Sequence, residues 1–124
     1  MRIFKCEICG NIVELINDGG GTLVCCGQEM EEIEINTEEN TYEKHIPFVQ
    51  KEGNKVKVQI GKTIHPMIDE HYIEWIALIE DNFIQKVNLK PGDEPIANFT
   101  VQSDNFTVYT YCNIHGFYMT KNNK

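Results

Sequence analysis

Between Lys55 and Ile60 the chain reads Lys-Val-Lys-Val-Gln-Ile, polar against branched apolar at every step. A period of two puts alternate side chains on one face, so this segment predicts a strand with one wet and one buried face. The pair Gly53-Asn54 just before it supplies turn chemistry. Tyr72 to Ile79 is apolar almost throughout, as expected of a strand covered on both faces. Asp81-Asn82 then punctuates, Phe83 to Leu89 follows, and Lys90-Pro91-Gly92-Asp93 reads as another turn. Ile96 to Val101 and Phe106 to Cys112 complete the set, parted by Ser103-Asp104-Asn105. No window reads as a helix, because Pro66, Pro91 and Pro95 interrupt the few that could form one. Short strands roughly ten residues apart predict an all-β chain built around an antiparallel sandwich.

The beginning of the chain has a different composition. Residues 1–35 carry four of the five cysteines and none of the four histidines, whereas residues 36–124 carry every histidine and the fifth cysteine. Two domains with those bounds are expected. The run Glu31-Glu32-Ile33-Glu34-Ile35-Asn36-Thr37-Glu38-Glu39-Asn40 is acidic and turn-prone, which suits a connection between them.

With 124 residues and 41% hydrophobic content, the chain can bury a core but not a large one. No stretch approaches the roughly 20 apolar residues of a membrane span. Met1-Arg2-Ile3-Phe4-Lys5-Cys6 lacks the apolar run of a signal peptide, so a cytoplasmic location is expected. A formal net charge of −8 disfavours nucleic acid and anionic membrane as partners, since both present phosphate. It also repels anionic substrates at long range, so an enzyme acting on an anion would need a local positive spot.

An odd cysteine count and a reducing compartment argue against a disulfide framework. The adjacent Cys25-Cys26 is also a poor disulfide, with Cα atoms only about 3.8 Å apart. Metal binding is the better use of these thiols. Cys6-x2-Cys9 and, fifteen residues on, Cys25-Cys26 provide four thiolates, a set suited to tetrahedral zinc or iron. Gly10 and Gly27 each follow a cysteine with the residue best able to make a tight or left-handed turn. Gly19-Gly20-Gly21 would let Asn11 to Val24 fold back as a short hairpin. Zinc here would be a staple. Iron could carry an electron, but four ligands close the site to substrate.

The other candidate donors are His45, His65, His71, Cys112 and His115. Any one histidine alone reads as a surface or hydrogen-bonded residue, and Cys112 as a buried hydrophobe ending a strand. Taken together, the cysteines and histidines divide into a four-donor and a five-donor set with none left over.

Three motifs join the four cysteines in this pattern: Glu43-Lys44-His45-Ile46-Pro47, His65-Pro66-Met67 with His71 six residues after His65, and Cys112-Asn113-Ile114-His115-Gly116. In combination they resemble desulfoferrodoxin, the two-iron form of superoxide reductase, over essentially the whole chain. The resemblance implies a desulforedoxin-like module, related to rubredoxin, followed by an immunoglobulin-like β-sandwich that is the catalytic domain. It implies two irons per chain. One is held by Cys6, Cys9, Cys25 and Cys26. The other has His45, His65, His71 and His115 as equatorial ligands, Cys112 as axial ligand, and one position open to superoxide. It further implies that Glu43 binds the ferric iron after turnover and that Lys44 attracts superoxide and organises proton delivery. Rubredoxin as electron donor and a homodimer are implied in the same way.

As bare residues, Glu43 and Lys44 read equally as two solvated charges. In a regular strand Glu43 and His45 share a face while Lys44 points away, so both reach the iron only from an irregular loop. Pro66 restricts His65 to an extended backbone, which helps to aim it. Trp75 and Tyr111 read as core, and Asp69 and Glu70 as solvated loop. Tyr118 falls near where the family often has tryptophan, a departure that touches packing beside the site.

Three functions fit these motifs: an oxidoreductase that converts superoxide to hydrogen peroxide with external electrons, an electron carrier whose histidine site is incidental, and a zinc-stabilised binding module. The open position and Glu43-Lys44 favour the enzyme. A dismutase is its nearest enzymatic rival, and imidazole and thiolate would also accept zinc or copper.

Overall fold

The computed structural model describes residues 1–37, 45–81 and 83–123. Glu43 and Lys44 lie outside these ranges, as do Glu38, Glu39 and Asn40 of the acidic run and Asn82 of the turn after Ile79. The chain divides into two compact units, Met1–Glu34 and Ile35–Lys124.

The first unit is made of very short strands. β1 (Ile3–Lys5) lies between β2 (Ile12–Glu14) and, at its other edge, Glu31–Glu32, antiparallel to both. β3 (Val24–Cys25) and β4 (Gln28–Glu29) form a separate two-stranded hairpin across Cys26-Gly27, and Glu31–Glu32 is β5. Residues Asn11 to Val24 therefore do not form the hairpin expected from the glycine triplet. Their ends pair outward, with β1 and with β4. Between them Asp18 Oδ1 accepts the N–H of Gly20 at 2.9 Å, a local turn that needs no strand partner. Arg2 reaches Glu32 through two nitrogens at 2.8 and 2.9 Å and Asp18 through a third at 2.8 Å, clamping three segments at the surface. Only Ile3 and Cys6 are fully buried among the described hydrophobic residues of this unit, while Ile8, Val13, Ile16 and Val24 are exposed.

The second unit is a sandwich. Its strands are β6 (Ile35–Asn36), β7 (Pro47–Glu52), β8 (Lys55–Ile60), β9 (Ile73–Ile79), β10 (Ile84–Asn88), β11 (Ile96–Thr100), β12 (Asn105–Cys112) and β13 (Gly116–Asn123). One sheet has the order β10-β9-β12-β13-β6 and the other β11-β8-β7. Every pairing is antiparallel except β13 with β6. The five strands legible in the pattern are present to within one residue at each end, and no helix occurs among the described residues. None is therefore long and apolar enough to cross a membrane. The acidic run is not only a connection: it contains β5 and β6, whose backbones pair while their side chains stay exposed.

The alternation in β8 does what its period requires. Val56, Val58 and Ile60 face inward and meet Ile76 and Leu78 of β9, Ala97 and Phe99 of β11, and Val108 of β12. β9 is buried on both faces: Trp75, on the face away from this core, stacks on Tyr111 at 6.1 Å and meets Phe117 edge-on at 5.8 Å. Glu80, only 6% exposed, accepts the amides of Gln102 and Ser103 at 2.9 and 3.2 Å and so ties the turn after β11 to the end of β9. Antiparallel pairing sets Pro47 opposite Ile60, and Cys112 opposite both Ile73 and Gly116. The start of β7, the end of β8, the start of β9 and the β12–β13 turn carry the candidate ligands of this unit.

Candidate metal centres

The same backbone device occurs in both units. In Cys6-Glu7-Ile8-Cys9-Gly10 the amide of Cys9 points at Cys6 Sγ at 3.5 Å, and Gly10 closes the turn at φ 82°. In Cys112-Asn113-Ile114-His115-Gly116 the amide of His115 points at Cys112 Sγ at 3.4 Å, and Gly116 closes the turn at φ 95°. A backbone N–H favours sulfur as thiolate, and the left-handed glycine turns the chain without a Cβ clash.

In the first unit the ligand atoms of Cys6, Cys9, Cys25 and Cys26 all lie within 4.8 Å of one another. Cys9 and Cys25 sulfurs are 3.6 Å apart, and Asn11 Nδ2 donates to Cys25 Sγ at 3.7 Å. The amide of Cys9 lowers the Cys6 thiol to about 6, whereas neighbouring thiols, Cys9 first, push Cys26 up to about 12. Such crowding lets one sulfur ionise and holds others protonated. A cation among them removes that conflict and takes all four as thiolates. Four sulfurs at this spacing fit one tetrahedral iron or zinc.

In the second unit the donors come from four loops. His45 precedes β7, His65 follows the left-handed Gly61 after β8, His71 precedes β9, and Cys112 and His115 flank the β12–β13 turn. The imidazoles form a ring: His45–His65 4.7 Å, His65–His71 4.6 Å, His71–His115 4.9 Å and His115–His45 4.7 Å between centroids, with 6.3 Å across from His45 to His71. Adjacent rings stand edge to face, at 65° to 81°. Ligand atoms of His45, His65, His71 and Cys112 lie within 4.8 Å of one another, and His115 Nδ1 is 3.1 Å from His45 Nε2 and 3.9 Å from Cys112 Sγ. Cys112, His65 and His45 are buried; His115 is the exposed member.

His65 supplies the test of fit. Its Nδ1 lies 2.7 Å from the carbonyl of Pro66, so the proton sits on Nδ1 and Nε2 carries the lone pair. That Nε2 is buried, faces the cluster, and has no hydrogen-bond partner. Burial holds the ring down to about 4, so it is neutral at physiological pH. A buried acceptor without a partner is costly in a protein and ordinary in a metal ligand. Two nitrogens 3.1 Å apart, as in His45 and His115, also match donors that share one ion at about 2.1 Å and right angles. Four imidazoles and a thiolate suit a first-row transition metal such as iron.

The nine cysteine and histidine donors thus fall into two clusters, and Asp69 and Glu70 stay exposed outside them. Tyr118, expected in the packing beside the site, lies flat on His45, with centroids 4.7 Å apart and planes at 11°. One further contact was not legible in the sequence. The side chain of Asn113 reaches 41 residues back along the chain to accept the amide of Tyr72 at 2.9 Å. The tendency of asparagine to bond nearby backbone is the one available signal, and it does not identify so distant a partner.

A model of the desulfoferrodoxin family matches residues 37–121, and a model of the desulfoferrodoxin N-terminal domain matches residues 1–33. A desulfoferrodoxin homolog of Archaeoglobus fulgidus is 51% identical over 120 residues, covering 97% of this chain and 96% of that one. The desulfoferrodoxin of Nitratidesulfovibrio vulgaris is 46% identical over 115 residues, covering 93% and 91%. The crystal structure of the superoxide reductase from Treponema pallidum superposes with a TM-score of 0.78 at 28% identity, covering 97% of each chain. The all-β fold, the four-cysteine cluster and the histidine–cysteine cluster agree with these matches, and the chain belongs to the desulfoferrodoxin family.

Proposed function

We propose that this chain is a superoxide reductase, which converts superoxide to hydrogen peroxide with one electron and two protons at the cluster of His45, His65, His71, His115 and Cys112. The ring of four imidazoles beside a buried cysteine, in a chain of this family, is the observation that carries the proposal. Iron bound there supplies the single electron that superoxide takes up. His65, fixed by the Pro66 carbonyl, presents a neutral nitrogen. Four neutral imidazoles and one thiolate offset one of the two charges of a ferrous ion, so the cluster keeps the positive spot that a chain of net charge −8 otherwise lacks. The His115 amide, pointed at Cys112 Sγ, tempers how strongly the sulfur donates.

Lys44 is assigned the attraction of superoxide and the organisation of proton delivery, and Glu43 the binding of the oxidised iron. The four-cysteine cluster holds the second iron, where a closed ligand set permits electron transfer but no contact with substrate. A rubredoxin-like donor supplies electrons from outside, and the chain works as a homodimer.

Anaerobically reduced protein given a pulse of superoxide should yield one hydrogen peroxide per superoxide and release no oxygen. Oxygen release at half the superoxide consumed would make it a dismutase, and colourless protein with zinc at both clusters would end the enzymatic proposal.

A second expectation concerns steering. One positive charge about 6 Å from an incoming anion, at an effective dielectric of about 40, contributes about 1.4 kcal/mol, or a factor of ten in rate. Lys44→Ala should slow capture of superoxide about tenfold with metal content unchanged, and added salt should narrow the gap to the parent. Equal capture rates at every ionic strength would return Lys44 to the solvated charges.

A further inference from the structure

The ladder between β12 and β9 is regular up to Tyr111, which faces Trp75. It then slips, so that Cys112 faces Ile73 and Glu74 is skipped. Such a bulge re-aims the strand end but leaves backbone groups without ladder partners. Just past the last ladder pair, Asn113 binds the backbone that leads into β9. Its backbone amide donates to the carbonyl of Tyr72 at 3.2 Å. Its Oδ1 accepts the amide of Tyr72 at 2.9 Å, and its Nδ2 donates to the carbonyl of Glu70 at 3.2 Å. Glu70 and Tyr72 are the two neighbours of His71. Asn113 itself follows Cys112 and comes two residues before His115.

We infer that Asn113 is the positioning residue of the histidine–cysteine centre, bracketing His71 on both sides and locking it in register with Cys112 and His115. The loop that carries His71 is anchored upstream at Met67, which packs against the core and whose carbonyl accepts the amide of Gly92 at 3.0 Å, and Asn113 holds it on either side of His71 itself. Ile68 and His71 exchange backbone hydrogen bonds at 3.0 Å, which shapes the turn but ties it only to itself, and Asp69 and Glu70 are exposed. One amide side chain thus links the backbone on both sides of His71 to the turn that carries Cys112 and His115, and in these bonds it touches none of their ring or sulfur atoms. Partners that orient ligands in this indirect way typically govern metal affinity by ten- to a hundredfold.

This inference rests on the cluster being a metal site, and not on its acting on superoxide. The test uses the full chain loaded with iron and follows two readouts: iron release to a chelator, and the visible band of the oxidised histidine–cysteine centre. The four-cysteine centre of the same molecule is the internal reference. Asn113→Ala should release the histidine–cysteine iron about tenfold faster or more and move its band, while the reference centre keeps its spectrum and release rate. Asn113→Asp keeps the acceptor for Tyr72 and loses the donor to Glu70, so its release rate should lie between the two. Were Asn113 needed only for the folding of the second unit, Asn113→Ala would load less iron at the histidine–cysteine cluster, but the centres that do form would keep the parent's band. Release rates of Asn113→Asp equal to the parent, or a band in Asn113→Ala identical to the parent, would overturn the assignment. A parent that takes up no metal at this cluster would instead refute the metal site itself.

Discussion

Cys112→Ser is expected to bring superoxide consumption by the pre-reduced protein down to that of metal-free chain, while the spectrum of the four-cysteine centre is unchanged. Serine is nearly the same shape, so the strand end and the inward packing of residue 112 survive the exchange. Its hydroxyl does not ionise in the range where a thiol beside a metal does, and the centre loses its one anionic protein ligand among neutral imidazoles. The amide of His115, which lies 3.4 Å from the sulfur, is left facing a weak neutral donor. Cys112 is fully buried, so no water replaces the sulfur without disturbing the core that contains it. Stopped-flow or pulse measurement of superoxide decay decides the matter. Consumption at the parent's rate would show that the thiolate is not part of the reacting centre.

Removing metal from the four-cysteine cluster is expected to unfold the first unit and leave the second folded. Units below about 40 residues rarely hold themselves together without metal or disulfide, and this one buries only Ile3 and Cys6 completely among its described hydrophobic residues. Its strands are two or three residues long, and its Arg2 ion pairs are exposed and contribute little. A structural metal in a site of this kind contributes on the order of 10 kcal/mol to folding, more than any other contact available here. Cys25→Ser should therefore open Glu29, Glu31 and Glu32 to a glutamate-specific protease and collapse their amide dispersion. The second unit has an apolar cluster drawn from both its sheets and should stay protected. Persistent protection of those glutamates in the metal-free chain would show that the short strands suffice.

What could be read from the sequence follows from where burial is periodic. β8 was legible residue for residue because Val56, Val58 and Ile60 are buried and the residues between them are not. β7 is an edge strand, mostly exposed, that opens on Pro47, and a proline at a strand's first residue looks like a break unless the partner is known. β13 ends in Lys121-Asn122-Asn123, polar enough to pass for a tail. The glycine triplet promised a hairpin that the pairing placed elsewhere, since flexibility says that a chain can turn and not with what it pairs. The ligand types and their grouping were visible because cysteine and histidine counts closed without remainder. That the four histidines surround one site with Tyr118 packed beside it was visible only through the family resemblance, and the bracket of Asn113 around His71 was not visible at all, because it joins segments that sit far apart in the sequence.

The repeated Cys-x-x-ligand-Gly turn separates scaffold from chemistry at the level of single side chains. The amide that faces the sulfur and the glycine that reverses the chain belong to the backbone, and neither depends on which donor stands fourth. With cysteine there, as at Cys9, the turn helps to close a ligand set of four sulfurs; with histidine, as at His115, it delivers an exposed nitrogen to a mixed one. A lineage or a designer starting from such a turn can therefore exchange a four-sulfur centre for a mixed one by changing donors, without inventing a new loop.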